Sequence, residues 1–174
     1  ELGWRNTDKF VYAIEKKFDQ VLFVLGQSNF RLIKPVLEIW QEDYPTLTIL
    51  SGLKYYEIFN IEKKEQENIK YIEEYQKSIE YLTLINRNSV HLCLSGCSSY
   101  ANTLQDCIVS KGVPIALDCP PFRDYVTNNV TGFLVKQKKK KKLKNSLGSE
   151  FTVDMDDLKV VIEKVIKIMK TDEL

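Results

Sequence analysis

The chain has 174 residues, 44% of them hydrophobic and 28% charged, which is the balance of a globular protein with one domain-sized core. Its formal net charge of +1 gives no global field that would favour nucleic acid or a membrane surface. No apolar stretch approaches the ~20 residues of a membrane span, and the charges spread through residues 1–20 argue against a secretory signal peptide.

Four cysteines and a single histidine are the candidates for a soft metal site. The cysteines, Cys93, Cys97, Cys107 and Cys119, form no paired C-x2-C knuckles, and only His91 could join them. Each cysteine lies in or beside an apolar run, so we predict buried, reduced thiols in a cytoplasmic protein and no metal site. The histidine also lies within an apolar run, which favours a structural role over that of a general base.

Apolar runs rich in β-branched residues alternate along the chain with segments of helical period. The runs predict strands over 21–25, 47–50, 69–72, 90–94, 113–117 and 132–135. Helices are predicted over 35–43, 74–85 and 103–110. Ile79, Leu82 and either Ile85 or Tyr75 are expected to face inward in the second, and Asn102 to cap the third.

A last helix is predicted after Asp154, which is a suitable N-cap, while Asp156 and Asp157 suit the positive helix N-terminus. Its apolar residues recur with helical period, at Leu158, Val161, Ile162, Val165, Ile168 and Met169. Strands that are apolar throughout and separated by helices indicate a parallel sheet covered on both faces. We therefore expect a single α/β domain over 1–174, Rossmann-like, with about six parallel strands and helices on both faces.

Ligands of such sheets bind beyond the carboxyl ends of the strands. The loops after Leu25, Leu50, Ile72 and Leu94 are therefore the expected functional positions.

The segment 136–145 holds seven lysines, without which the net charge would change from +1 to −6. Like charges at this density repel one another. We predict a solvated, mobile loop insertion; the alternative is a site for a polyanion.

Three motifs lie between residues 90 and 135: Lys111-Gly112-Val113-Pro114, Asp118-Cys119-Pro120-Pro121 and Thr131-Gly132-Phe133-Leu134-Val135. In these motifs the segment resembles the C-terminal lobe of retaining GT-B glycosyltransferases of the Glu-x7-Glu family (glycosyltransferase family 4-like). Looser similarity at residues 3–8 and 25–40 extends the resemblance over nearly the whole chain. The abundance of Lys, Ile, Asn and Tyr is typical of an AT-rich genome, such as that of a giant virus or a protist.

The resemblance implies a lobe that binds a nucleotide-diphosphate sugar as donor substrate, with no resident cofactor or metal. Ser98 occupies the position of the glutamate that contacts the donor sugar in the family. Asp106 occupies the position of the glutamate that binds the ribose hydroxyls. Arg31 stands at a diphosphate-binding lysine and Lys34 is a possible substitute, although both could be solvated charges at a helix start. The family's Gly-Phe-Gly is Ser99-Tyr100-Ala101 here, in a loop whose amides lead into a helix and suit a diphosphate.

GT-B enzymes close two such lobes over the donor, and the acceptor site and the usual catalytic histidine belong to the N-terminal lobe. The resemblance therefore implies an N-terminal lobe as partner, in cis or in trans, and an isolated chain that is inactive. Catalytic residues within this chain are not identified. The missing Glu at Ser98 and the two missing glycines leave a second hypothesis, a non-catalytic pseudo-glycosyltransferase domain that acts as an interaction or structural module.

Overall fold

The computed structural model describes residues 14–26, 28–51, 55–58, 60–96, 101–142 and 149–171. Its main sheet has six strands in the order β3-β2-β1-β4-β5-β6, and every neighbouring pair is parallel. The strands are β1 (Lys17–Leu25), β2 (Thr46–Ser51), β3 (Ile69–Ile72), β4 (Asn88–Cys93), β5 (Val113–Leu117) and β6 (Phe133–Val135). The predicted Rossmann-like α/β sheet of six parallel strands is confirmed.

Helices connect the strands, beginning with a 3-10 turn at Phe30–Leu32 that leads into α1. They are α1 (Ile33–Ile39), α2 (Tyr55–Ile58), α3 (Ser78–Arg87), α4 (Asn102–Val109), α5 (Phe122–Tyr125) and α6 (Met155–Lys170). None of the helices in the described part of the chain is long and apolar enough to cross a membrane.

Helix α3 begins four residues later than the sequence pattern predicts. The Glu80 carboxylate accepts a hydrogen bond from the backbone N–H of Lys77 at 2.8 Å, which fixes the start of the helix at Ser78. Ile79, predicted to face inward, is 67% exposed, whereas Ile85 is fully buried. The helical period of the apolar residues therefore predicts burial correctly in the second half of the helix, at Ile85, and wrongly in its first turn, at Ile79.

Alternate residues of β1 face opposite sides of the sheet, as the strand period requires. Leu22 and Val24 pack with Ile85 of α3 on one side. Val21 and Phe23 belong to the main core, which also contains apolar residues of α1 and α6. Helices therefore cover both faces, in agreement with the prediction.

Helix α6 begins at the predicted cap. One oxygen of Asp154, Oδ1, accepts hydrogen bonds from the backbone N–H groups of Asp156 and Asp157 at 3.1 and 3.2 Å. Tyr44, in the loop before β2, donates its hydroxyl proton to Glu163 Oε1 at 3.1 Å and ties α6 to that loop. The buried residues of the helix are Leu158, Ile162, Val165, Ile166 and Met169.

The lysine-rich segment is a strand where a loop insertion over 136–145 was predicted. β7 (Gln137–Lys142) pairs antiparallel with β8 (Ser149–Val153), so the loop prediction is wrong for 137–142, while 143–145 lie outside the described residues. Charge repulsion alone suggested a loop, but the backbone groups of β7 gain hydrogen bonds from β8. The backbone register runs from Gln137 opposite Val153 to Lys142 opposite Ser149.

Candidate functional site

The order in which strands join the sheet reverses between β1 and β4. β2 lies on one side of β1 and β4 on the other, so the crevice beyond their carboxyl ends is a topological switch point, where ligands of open α/β sheets bind. The parallel register pairs Leu22 with His91. β1 ends at Leu25 and β4 at Cys93, so the two loops of the crevice begin at Gly26 and Leu94.

Asn29 closes the turn that follows β1. Its Oδ1 accepts a hydrogen bond from the N–H of Gly26 at 2.7 Å, and its Nδ2 donates to the carbonyl oxygen of Val24 at 2.9 Å. A Cβ added to Gly26 would meet none of the described residues within 4 Å, so these leave space beside the turn. The turn leads directly into the 3-10 turn that carries Arg31.

Arg31 and Lys34, the expected diphosphate ligands, are both exposed. The guanidinium carbon of Arg31 lies 5.6 Å from the centroid of the Phe30 ring, a cation–π contact. Lys34 lines a concavity of about 750 Å³ between α1 and residues 60–64. Of the two, Arg31 is nearer along the chain to Gly26, and Lys34 opens onto the groove formed by the connection from β2 to β3.

Ser95 and Gly96 follow β4 at the crevice. Ser95 is 5% exposed, and its Oγ has no hydrogen-bond partner among the described residues. The carbonyl oxygen of Gly96 accepts a hydrogen bond from the N–H of Phe151 at 2.9 Å. The β7–β8 hairpin therefore packs against the chain just beyond β4.

Three of the expected donor-binding residues, Ser98, Ser99 and Tyr100, lie outside the described residues. The description resumes at Ala101, which has a left-handed backbone with φ 46° and ψ 43° and is the N-cap of α4. Asn102, predicted as the cap, is instead the first helical residue. Ala101 has no polar side chain that could accept a hydrogen bond from the first turn of α4.

Asp106, the expected ribose ligand, is buried within α4 and only 2% exposed. Its Oδ2 accepts a hydrogen bond from the hydroxyl of Tyr81 at 2.5 Å. Tyr81 belongs to α3, so the pair joins two helices that the sequence separates by 25 residues. Sequence reasoning missed Tyr81; the available signal was an acidic residue on the inward side of a helix, which requires a partner when buried.

His91 is 3% exposed, and its Nε2 lies 3.1 Å from the carbonyl oxygen of Ile85 and 3.2 Å from that of Asn88. Both neighbours are acceptors, so the neutral ring carries its proton on Nε2 and donates it. Burial lowers the pKa of His91 to about 4. The histidine is structural, as predicted.

The cysteines of the described residues are free and buried, at Cys93, Cys107 and Cys119. Burial and the neighbouring Cys93 raise the pKa of the Cys107 thiol well above its usual value. Within the described ranges, no group of three or more His, Cys, Asp or Glu side chains could hold a metal ion. Cys97 lies outside those ranges.

Solved structures of GT-B glycosyltransferases have a similar fold. TarM aligns with a TM-score of 0.64 at 14% identity, over 93% of this chain and 30% of that chain. WaaG, a glycosyltransferase involved in lipopolysaccharide biosynthesis, aligns with a TM-score of 0.60 at 10% identity, over 95% of this chain and 42% of that one. The catalytic domain of starch synthase IV from Arabidopsis thaliana, bound to ADP and acarbose, aligns with a TM-score of 0.57 at 13% identity. The alignment covers 96% of this chain and 34% of that one.

The chain thus spans between 30% and 42% of the length of these three structures. At such identities the likeness shows the fold, which is that of one GT-B lobe. No model of a protein family matches the chain, and no curated protein matches it.

Proposed function

We propose that the chain is the donor-nucleotide lobe of a glycosyltransferase. It binds a nucleotide-diphosphate sugar and takes part in transfer of the sugar when paired with an N-terminal lobe, in cis or in trans. The observation that carries the proposal is the crevice between the ends of β1 and β4, in a sheet with the fold of GT-B lobes. The starch synthase IV domain of similar fold is bound to ADP, a nucleoside diphosphate.

The diphosphate end of the proposed site lies between the start of α4 and the turn after β1. A helix N-terminus attracts anions through its backbone N–H groups and its dipole. Ser95 Oγ, buried and without a partner among the described residues, would donate a hydrogen bond to a diphosphate oxygen there. Arg31 supplies the exposed positive charge, and Lys34 is the secondary candidate.

The sugar and ribose ends of the site are assigned by position in the chain. Ser98, Ser99 and Tyr100 would border the sugar, where a serine in place of Glu offers a hydroxyl but no carboxylate. Asp106 supplies the carboxylate at the ribose end. The donor is a substrate, and the proposal includes no resident cofactor.

The test is calorimetric titration of UDP, GDP and ADP into the wild type and into Arg31→Ala. Loss of one charge-assisted hydrogen bond, typically worth ~1.5–3 kcal/mol, should weaken binding roughly tenfold or more. Arg87→Ala is the matched control, because Arg87 is an exposed arginine at the end of α3. It directly precedes the amino end of β4, at the opposite end of the strand from the proposed site. Millimolar or undetectable binding of all three nucleotides, unchanged by Arg31→Ala, would contradict the proposal.

A second candidate function is a non-catalytic domain that acts as an interaction or structural module. The contact between Phe151 and Gly96 favours it, because it places the hairpin at the end of β4, beside the crevice. The same titration separates the two candidates, since a module of this kind need not bind any nucleotide.

A further inference from the structure

Tyr81 and Asp106 form one hydrogen-bonded pair whose two members differ in exposure. Asp106 is 2% exposed, whereas Tyr81 is half-buried. The hydroxyl oxygen and Oδ2 lie 2.5 Å apart, at the short end of the range for O–H···O hydrogen bonds. Of this pair, the tyrosine is the more exposed member.

Tyr81 lies at the end of the sheet where ligands bind, beyond the carboxyl ends of the strands. Its backbone N–H donates to the carbonyl oxygen of Lys77 at 2.9 Å, so it lies in the first turn of α3. That turn follows the carboxyl end of β3, and because the strands are parallel, β1 and β4 end on the same side of the sheet. The ring packs against the cluster of Leu22, Leu50 and Ile85, which limits its rotation.

We infer that the Tyr81 hydroxyl, oriented by Asp106, contacts the ribose of a bound ribonucleotide; this inference rests on the proposed donor-site function. The hydroxyl donates a hydrogen bond to Asp106 Oδ2, and its oxygen accepts one from a ribose hydroxyl. An aspartate is one methylene shorter than the glutamate that the resemblance implies at this position. The tyrosine hydroxyl extends the reach of the buried carboxylate. Asp106 is then a positioning residue, and Tyr81 the residue that contacts the ligand.

This arrangement predicts selectivity for ribose over deoxyribose. A 2′- or 3′-deoxynucleotide leaves the tyrosine oxygen without its donor, whereas Tyr81→Phe removes the acceptor from the protein. The loss of one such hydrogen bond corresponds to roughly fivefold to tenfold in affinity. The preference for ribose over deoxyribose should disappear in Tyr81→Phe, because phenylalanine has no oxygen to accept a hydrogen bond from the ribose hydroxyl.

The experiment compares the best-binding nucleotide of UDP, GDP and ADP with its 2′-deoxy and 3′-deoxy forms by calorimetry. The full chain is used as wild type, Tyr81→Phe, Asp106→Asn and Tyr75→Phe. Tyr75 is 82% exposed and precedes α3, which makes it the matched control. We expect one deoxy form to bind roughly fivefold to tenfold more weakly than the ribonucleotide in the wild type and in Tyr75→Phe. The preference should vanish in Tyr81→Phe and be partly kept in Asp106→Asn, whose amide oxygen can still accept from Tyr81.

A Tyr81→Phe protein that binds nucleotide with the wild-type ribose preference would overturn the inference and leave the proposed function standing. Absence of binding of any nucleoside diphosphate to the wild type would overturn both. If Tyr81→Phe does not fold, the ring resonances of Tyr81 in the wild type provide the second measurement. They should shift differently with ribo- and deoxynucleotide, and identical shifts would overturn the inference.

Discussion

Gly96 and Phe151 meet backbone to backbone at the end of β4. The N–H of Phe151 donates to the carbonyl oxygen of Gly96 at 2.9 Å, and a Cβ added to Gly96 would lie 1.9 Å from the carbonyl oxygen of Phe151. No side chain fits into that space. The contact fixes the β7–β8 hairpin beside the crevice that we propose as the donor site.

Gly96→Ala should therefore destabilise the protein, because the new methyl group forces the hairpin away from β4. Overpacking of this kind costs about 1–3 kcal/mol in the free energy of unfolding, which chemical denaturation can measure. Gly26→Ala is the control at the other loop of the crevice, where an added Cβ meets none of the described residues within 4 Å. Equal stability of the two variants would show that β8 does not pack on Gly96.

Deleting residues 138–142 should lower the melting temperature by several degrees, because β8 loses its hydrogen-bonded partner and the Phe151 contact weakens. We expect a loss of about 1–2 kcal/mol, at roughly 2–4 °C for each kcal/mol in a domain of this size. Replacing the same five lysines by threonine is the control, since it removes the charge and keeps residues that favour a strand. A deletion variant as stable as the wild type would mean that the segment behaves as the solvated loop that its charge pattern predicts.

The stability of the protein should fall between neutral pH and pH 4 through His91. Its pKa is lowered to about 4 in the folded chain from the ordinary value of 6.5, so the unfolded chain binds the proton more readily between those values. The contribution is complete above pH 6.5 and is lost as the pH falls through about 4, on the order of 3 kcal/mol in the free energy of unfolding.

Denaturation of wild type and His91→Gln at pH 7.5 and pH 4.5 measures this effect. Glutamine keeps an N–H donor for the Ile85 and Asn88 carbonyl oxygens and has no titrating group. Carboxylates titrate in both proteins, so the difference between them isolates the histidine. Equal losses of stability in the two proteins would contradict the prediction.

The isolated chain should turn over no nucleotide sugar. Transfer requires the acceptor to be held against the donor with water excluded, and we assign the acceptor side to a partner lobe. The measurement is release of nucleoside diphosphate from a panel of UDP-, GDP- and ADP-sugars, with buffer alone as the control. Release above that background would show that this lobe carries its own catalytic groups.

The sheet could be predicted from sequence where a run of apolar residues is bounded by polar or small ones. The strands Ile69–Ile72 and Val113–Leu117 have the predicted bounds. In Val113–Leu117, burial on both faces leaves a local apolar signal that needs no knowledge of the partner strand. The start of α3 was missed because the Glu80 carboxylate, rather than the apolar period, determines it.

The site was less predictable, because its contacts join distant parts of the chain. The order of residues showed an acidic side chain at Asp106 but gave no sign that Tyr81 would bind it from another helix. The strand character of 137–142 was hidden for a similar reason, since only pairing with Ser149–Val153 offsets the repulsion among the lysines. The charge of the lysines indicated a loop, but pairing with β8 makes the segment a strand.

The bond from Tyr44 to Glu163 spans 119 residues and has a consequence for biosynthesis. Contacts of high sequence separation form late, because the chain must close a long loop before they give any stabilisation. Leu158, Ile162 and Val165 belong to the main core and leave the ribosome after all six strands of the sheet. A nascent chain should therefore expose apolar surface of the sheet until α6 emerges, and exposed surface of this kind favours aggregation during that interval.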